Sequence, residues 1–95
     1  MPAYRFQIQR TKGFRNPDGG RRVARPSIFG NPFQDGTREE RVRMFAEWLR
    51  AGEPTDPARE RILANLHQLK DRPLGCFCPP GEPCHADVLL EEANK

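Results

Sequence analysis

Apolar and polar residues alternate near the start of the chain, which predicts a β-strand with one buried face. The apolar positions are Tyr4, Phe6 and Ile8. Residues 11–22 concentrate turn-forming residues and predict an irregular loop or a hairpin tip. A short second strand is expected at residues 21–25, with Pro26 limiting its length. The apolar run at residues 74–78 predicts a central strand.

Two segments show clear helix boundaries. Thr37 and Glu40 have the spacing of a capping box, and the apolar residues after them recur at helical spacing until Gly52. Those apolar residues are Val42, Phe45, Trp48 and Leu49. A further helix is expected at residues 84–94, with Val88 and Leu89 packed inward.

Between them, Asp56 followed by Pro57 is typical of a helix start and predicts a helix to about Lys70. Its predicted inward residues are Ile62, Leu63, Leu66 and Leu69. The order of strands and helices predicts an α/β fold: a small sheet with a parallel crossover, flanked by three helices. A chain of 95 residues is expected to form a single domain, residues 1–95.

Composition bears on the expected cellular location and on the distribution of charge. No apolar run is long enough to cross a membrane and the N-terminus lacks a secretion signal, so a cytoplasmic protein without a membrane partner is expected. The charge is uneven: residues 1–43 hold ten of the sixteen Lys and Arg residues but four of the thirteen acidic ones. Thirteen of the sixteen cationic residues in the chain are Arg. Arginine suits bidentate recognition of phosphate or carboxylate, although a solvated basic surface is an equal alternative.

The segment RPSIFGNPF, residues 25–33, predicts a structured loop, because two prolines and a glycine exclude a regular element. Its apolar residues Ile28, Phe29 and Phe33 are expected to pack it onto the core. Arg25 and Asn31 are candidate ligand contacts. The alternative role for both is to hold the loop backbone.

The three cysteines fall within nine positions, and an odd number in a reducing compartment favours metal or thiol chemistry over disulfides. Cys76 and Cys78 close the predicted central strand, and Cys84 and His85 open the last helix after the turn PPGEP. In open α/β sheets, this strand-to-helix crevice is where ligands bind.

Three interpretations of this cluster are open. Cys76, Cys78, Cys84 and His85 could supply the ligands of a structural zinc ion, in an unusual spacing. Alternatively, Cys84 at the helix N-terminus is a low-pKa thiolate, and His85 or a loop arginine completes a nucleophile or an anion site. In the third interpretation, the cysteines are buried small hydrophobic residues. Asp87 could orient His85 or interact with the helix dipole.

The loop RPSIFGNPF, the Trp-Leu pair and the terminal segment LGCFCPPGEPCHADVLLEEAN resemble a family of small phage and bacterial proteins, domain of unknown function 4326. The resemblance covers the chain from about Val23 onward. It implies that the site residues are Arg25, Ser27, Gly30, Asn31, Pro32, Phe33, Cys76, Cys78, Cys84, His85 and Asp87. Phe77 replaces the usual Trp and Ala86 the usual Gly, and the turn between the cysteines is longer than usual.

The family has no assigned activity, so the resemblance points to a site and leaves open whether the protein is an enzyme. The leading hypothesis is a domain that binds an anionic, nucleotide-like ligand between the 25–33 loop and the start of the last helix. The cysteines and His85 would support that site through zinc, or Cys84 would act on the ligand. The rival is an interaction protein that binds a host protein or nucleic acid through its basic N-terminal half, with structural cysteines.

Overall fold

The elements follow the predicted order. A computed structural model describes residues 3–25 and 27–95. Its strands and helices are β1 (Arg5–Gln7), β2 (Arg21–Arg22), α1 (Arg38–Ala51), α2 (Pro57–Asn65), a 3-10 helix (Leu66–Leu69), β3 (Leu74–Cys76) and α3 (His85–Ala93). The predicted α/β class is thereby confirmed. Pro26, predicted to limit the second strand, lies outside the described residues.

The sheet has three strands, and β3 lies at its centre, parallel to both neighbours. The register pairs Arg5 and Arg21 with Leu74 from opposite sides. Because all three strands point the same way, the segments that follow them leave the same edge of the sheet. Gly75 is required at the middle of β3, since a Cβ there would overlap the Phe6 ring. The predicted central strand is confirmed, although it ends at Cys76 and leaves Cys78 beyond it.

The first helix begins and ends where the sequence predicts. The Thr37 hydroxyl accepts the Glu40 amide N–H at 3.1 Å, and the Glu40 carboxylate accepts the Thr37 amide N–H at 3.3 Å. This reciprocal capping box satisfies two amide groups at the helix start. Gly52 ends the helix, and its N–H donates to the Trp48 carbonyl at 2.9 Å. Phe45 and Leu49 are buried against the core.

The second helix is shorter than predicted. The α-helix stops at Asn65, and the chain tightens into a 3-10 turn that ends at Leu69. Ile62 and Leu69 are buried, whereas Leu63 is 36% exposed, contrary to its predicted inward position. The reason is geometric: one residue turns the helix by about 100°, so Leu63 leaves the stripe that Ile62 starts. Ile28 was likewise predicted to pack inward and is 38% exposed.

The core lies between the sheet and the helices. It is formed by Val23, Ala24, Phe29, Phe45, Leu49, Ile62, Leu69, Leu74, Cys76, Cys84, Ala86, Val88 and Leu89. Helix α3 contacts both β1 and β3, and it also packs against α1 and the 3-10 helix. In the part of the chain that the structure describes, no helix has the length and apolar character to cross a membrane.

Candidate metal centre and anion cavity

The three cysteines converge. The sulfur atoms of Cys76, Cys78 and Cys84 all lie within 4.8 Å of one another. The Cys76 and Cys78 sulfurs are 3.7 Å apart, far beyond the roughly 2.05 Å of a disulfide bond. Thiolates around a tetrahedral zinc ion, each at about 2.3 Å, lie about 3.8 Å apart. The trio can therefore hold a metal ion with little rearrangement.

Each cysteine comes from a defined place in the fold. Cys76 ends β3, Cys78 follows it, and Cys84 is the N-cap residue of α3. The turn between the last two contains Gly81 at φ +85°, a left-handed conformation that glycine adopts without strain. This turn brings Cys84 back to the strand end.

Arg5 of β1 secures the same turn. Its guanidinium donates to the carbonyls of Glu82 at 2.8 Å and Pro79 at 3.4 Å, and it lies 3.3 Å from the Asp87 carboxylate. The Arg5 side chain is 12% exposed, whereas that of Asp87 is 54% exposed. Arg5 thus ties the turn between Cys78 and Cys84 to the sheet and to the first turn of α3.

His85 lies beside the trio. Its Nε2 donates to the buried Val23 carbonyl at 2.8 Å, and its Nδ1 is 3.9 Å from the Cys84 sulfur. Since a carbonyl only accepts, the proton of the neutral ring belongs on Nε2 and the lone pair on Nδ1 faces the thiols. The ring is 6% exposed and packs edge-on against Phe45 at 5.3 Å between centroids. Among the described residues, the donor atoms that lie within 4.8 Å of one another are those of the three cysteines, and His85 Nδ1 is not one of them.

The three cysteine thiols differ in the direction of their pKa shifts. The Cys84 thiol, as hydrogen-bond donor, lowers the pKa of Cys76 to about 3. The same contact with Cys76, followed by burial, raises the pKa of Cys84. Burial also raises the pKa of Cys78. These shifts favour ionisation of Cys76 over Cys78 and Cys84, and binding of a divalent cation would release the remaining thiol protons.

A cavity of about 760 Å³ opens beside this cluster. The segments that follow β1, β2 and β3 contribute to its lining, together with the 25–33 loop and the start of α1. The cavity thus lies at the carboxyl edge of the parallel sheet, where open α/β folds bind ligands. Its volume is in the range of roughly 300–1,000 Å³ typical of small-molecule sites.

The cavity is strongly basic. Its described lining includes five arginines and no Asp or Glu: Arg10, Arg22, Arg25, Arg38 and Arg41. Among residues 3–25 and 27–95, Arg38 alone of these five has a carboxylate within ion-pair distance, Glu82 at 3.9 Å. Four of the five arginines thus have no carboxylate partner in that part of the chain, and the excess of positive charge favours an anionic ligand.

The 25–33 loop supplies one wall. Gly30 packs directly on Arg25, because a Cβ at position 30 would overlap the Arg25 side chain and lie 3.0 Å from its Cα. The side-chain Oδ1 of Asn31 accepts the Phe33 N–H at 2.9 Å, and the side-chain Nδ2 of Asn31 donates to the Arg41 backbone carbonyl at 3.1 Å. The Ser27 hydroxyl accepts the Phe29 N–H at 3.2 Å. These contacts hold the loop against α1.

The structure brings most of the predicted site residues together. The cavity lining includes Arg25, Asn31, Cys76, Cys78, Cys84 and His85, which joins the 25–33 loop to the cysteine cluster. Ser27 and Gly30 are outside the lining and shape the loop, and Asp87 is paired with Arg5.

Sequence reasoning missed four of the cavity arginines and Phe77. The missed arginines are Arg10, Arg22, Arg38 and Arg41. One signal was present in the sequence: Arg38 and Arg41 are three apart in the first turn of a well-capped helix and therefore share a face. Arg10 and Arg22 follow or end strands that run parallel to β3.

Comparison with known proteins gives one match. The model of a family described as domain of unknown function (DUF4326) matches residues 6–95. No curated protein and no solved structure matches the chain significantly.

Proposed function

The chain belongs to the domain of unknown function 4326 family, and from this premise we propose that it is a zinc-supported domain that binds an anionic, nucleotide-like ligand. The observation that carries the proposal is the shared cavity: the cysteine cluster and five arginines line the same space at the carboxyl edge of the sheet. The proposal assigns binding and no reaction.

Zinc is the metal that the donor set favours. Thiolate and imidazole donors in a tetrahedral arrangement select zinc over calcium or magnesium, which prefer oxygen. The fourth ligand would be Nδ1 of His85, since a zinc ion that also binds Cys84 requires a nitrogen-to-sulfur distance of about 3.6 Å. The distance of 3.9 Å to the Cys84 sulfur is close to this value, but Nδ1 lies outside the group of donor atoms within 4.8 Å of one another, so the His85 side chain would have to move towards the other sulfurs on metal binding.

A catalytic role for Cys84 and His85 is the competing proposal for the cluster. A nucleophilic cysteine needs an accessible, easily ionised thiol. The Cys84 side chain is 1% exposed and its pKa is raised. The low exposure disfavours attack on a substrate, and the raised pKa disfavours a free Cys84 thiolate in the absence of a metal ion.

The ligand would enter over the arginines. Arg25 and Arg41 would pair with its negative charge, because a guanidinium donates two parallel hydrogen bonds to phosphate or carboxylate oxygens. Asn31 would present its remaining amide hydrogen to the ligand, since one is already donated to the Arg41 carbonyl. The metal cluster would form the floor.

Metal analysis tests the first half of the proposal. Protein purified without chelator should contain one equivalent of zinc, and Cys78→Ser and His85→Ala should each weaken zinc retention against a chelator. His67→Ala is the matched control, because this exposed histidine lies on the 3-10 helix away from the cluster. Failure to retain zinc or cobalt after reconstitution, with all three thiols freely reactive, would exclude the metal centre.

Thermal stabilisation tests the second half. A panel of nucleotides should raise the melting temperature of the zinc-loaded protein by mass action, and the shift should disappear in Arg25→Ala and Arg41→Ala. Arg43→Ala is the matched control, since it removes the same charge from an exposed position on α1 outside the cavity lining. An equal shift in the cavity variants and the control would contradict the proposal.

A further inference from the structure

The cavity arginines fall into two groups on different elements. The strand-end arginines, Arg10 and Arg22, both lie over the Phe77 ring, with guanidinium carbons 4.4 and 5.0 Å from its centroid. The helix arginines, Arg38 and Arg41, belong to the first turn of α1. We infer that these two groups bind two different phosphate groups of one ligand, an inference that rests on the proposed function.

The strand-end arginines are already ordered. Besides the contact with Phe77, Arg22 donates to the Arg25 carbonyl at 2.8 Å. A guanidinium has five N–H donors, so one backbone contact leaves several for a ligand. Stacking on an aromatic ring restricts the side chain before binding, which reduces the entropy lost when an anion arrives.

The helix arginines are ordered by separate contacts. Arg41 donates to the Gly36 carbonyl at 2.8 Å, and Arg38 lies 3.9 Å from the Glu82 carboxylate. The two groups thus depend on different parts of the fold, one on the strand ends and the other on the capped helix start. A single phosphate held by one group would leave the other group unpaired.

Charge balance also points to more than one phosphate. A phosphate monoester carries about −1.5 to −2 at neutral pH, which roughly two arginines neutralise. Four of the five cavity arginines have no carboxylate within ion-pair distance among the described residues. A zinc-loaded cluster of three thiolates would offset about one of these charges; one phosphate would still leave about one positive charge uncompensated, whereas two would balance the rest.

Two kinds of ligand provide this chemistry: a nucleoside polyphosphate, or successive phosphates of a single nucleic acid strand. The test measures dissociation constants of the full, zinc-loaded chain by calorimetry at fixed pH and salt. The probes are AMP, ATP, inorganic phosphate, pyrophosphate and an eight-nucleotide single strand.

We expect ATP to bind about tenfold or more tightly than AMP, the effect of adding one charge-assisted contact. Arg10→Ala and Arg38→Ala should each weaken ATP binding towards that of AMP, with Arg43→Ala as the unchanged control. If the phosphates belong to a strand, the single strand should bind where ATP does not, with the same sensitivity to both variants.

The two-phosphate inference and the anion-binding proposal can be refuted by different results. Equal affinity for AMP and ATP, with binding lost in Arg25→Ala, would overturn the two-phosphate inference and leave the anion-binding proposal intact. Binding of none of the probes would overturn both. Strand binding that is unaffected by Arg10→Ala and Arg38→Ala would place the nucleic acid on another surface and also refute the inference.

Discussion

Removal of the Arg5 side chain should weaken the metal centre without touching a metal ligand. The hydrogen bond to the Glu82 carbonyl at 2.8 Å involves a charged donor and a mostly buried side chain, so its loss should cost about 1.5–3 kcal/mol. The contact with Pro79 at 3.4 Å is at the limit of hydrogen-bond geometry and adds little. The ion pair with exposed Asp87 contributes about 1 kcal/mol or less.

Part of this free energy orders the turn that delivers Cys84 to the other two cysteines. If most of this roughly 1.5–3 kcal/mol is lost to metal binding, Arg5→Ala should weaken zinc affinity by about ten- to a hundredfold, since each 1.4 kcal/mol is a factor of ten. The assay is competition with a chromophoric chelator, combined with urea unfolding with and without zinc. Asp87→Ala is the control and should weaken zinc binding by much less.

Equal destabilisation of the Arg5→Ala variant with and without zinc would refute a role of Arg5 in metal binding. If Arg5→Ala lowers the free energy of unfolding equally with and without zinc, its zinc affinity is unchanged by linkage. Arg5 would then stabilise the fold alone, and the turn would be ordered by other contacts. Arg5→Lys is a further test, because lysine retains the positive charge but lacks the planar guanidinium that donates to two carbonyls. Zinc binding should therefore be weakened in this variant as well.

Three further predictions concern the fold around the site. Phe45→Ala should lower the free energy of unfolding by about 3–5 kcal/mol, measured in urea, because the ring is fully buried. Gly30→Ala should cost about 1–3 kcal/mol by overpacking, and calorimetry should show weaker nucleotide binding because Arg25 is displaced. The Trp48 indole N–H lowers the pKa of Asp56, so the carboxylate contributes stability above its unfolded pKa of about 3.9, and this is lost as the pH falls through the folded pKa. Trp48→Phe should therefore reduce the difference in melting temperature between pH 7 and pH 3, and an unchanged difference would contradict this.

The starts of α1 and α2 could be predicted because they depend on local chemistry. Thr37 with Glu40, and Asp56 before Pro57, satisfy amide groups at the helix starts in the same way in almost any context. The central strand was found for a similar reason, since a short apolar run fits a strand that is buried on both faces. These features need no information about distant parts of the chain.

The cavity could be predicted only in part, because it depends on contacts distant in sequence. Cys76 and Cys84 were found from residue type and spacing, whereas Arg10 and Arg22 come from segments with no recognisable motif. They approach Phe77 because β1 and β2 both pair with β3, and such pairing cannot be read from a local pattern. The uneven charge of the chain indicated an anion-facing half without locating it.

Two hydrogen bonds of Val23 connect the candidate metal centre to the cavity wall. His85 donates to the Val23 carbonyl, and Val23 directly precedes the segment that bears Arg25. The Val23 N–H donates in turn to the Gly75 carbonyl at 2.9 Å, next to the metal-binding Cys76. A zinc ion that fixes His85 would therefore also fix the β2 end against β3, and with it one wall of the cavity. Binding of the ion and of the anion would then be coupled, and each would strengthen the other by the same factor, as linkage requires.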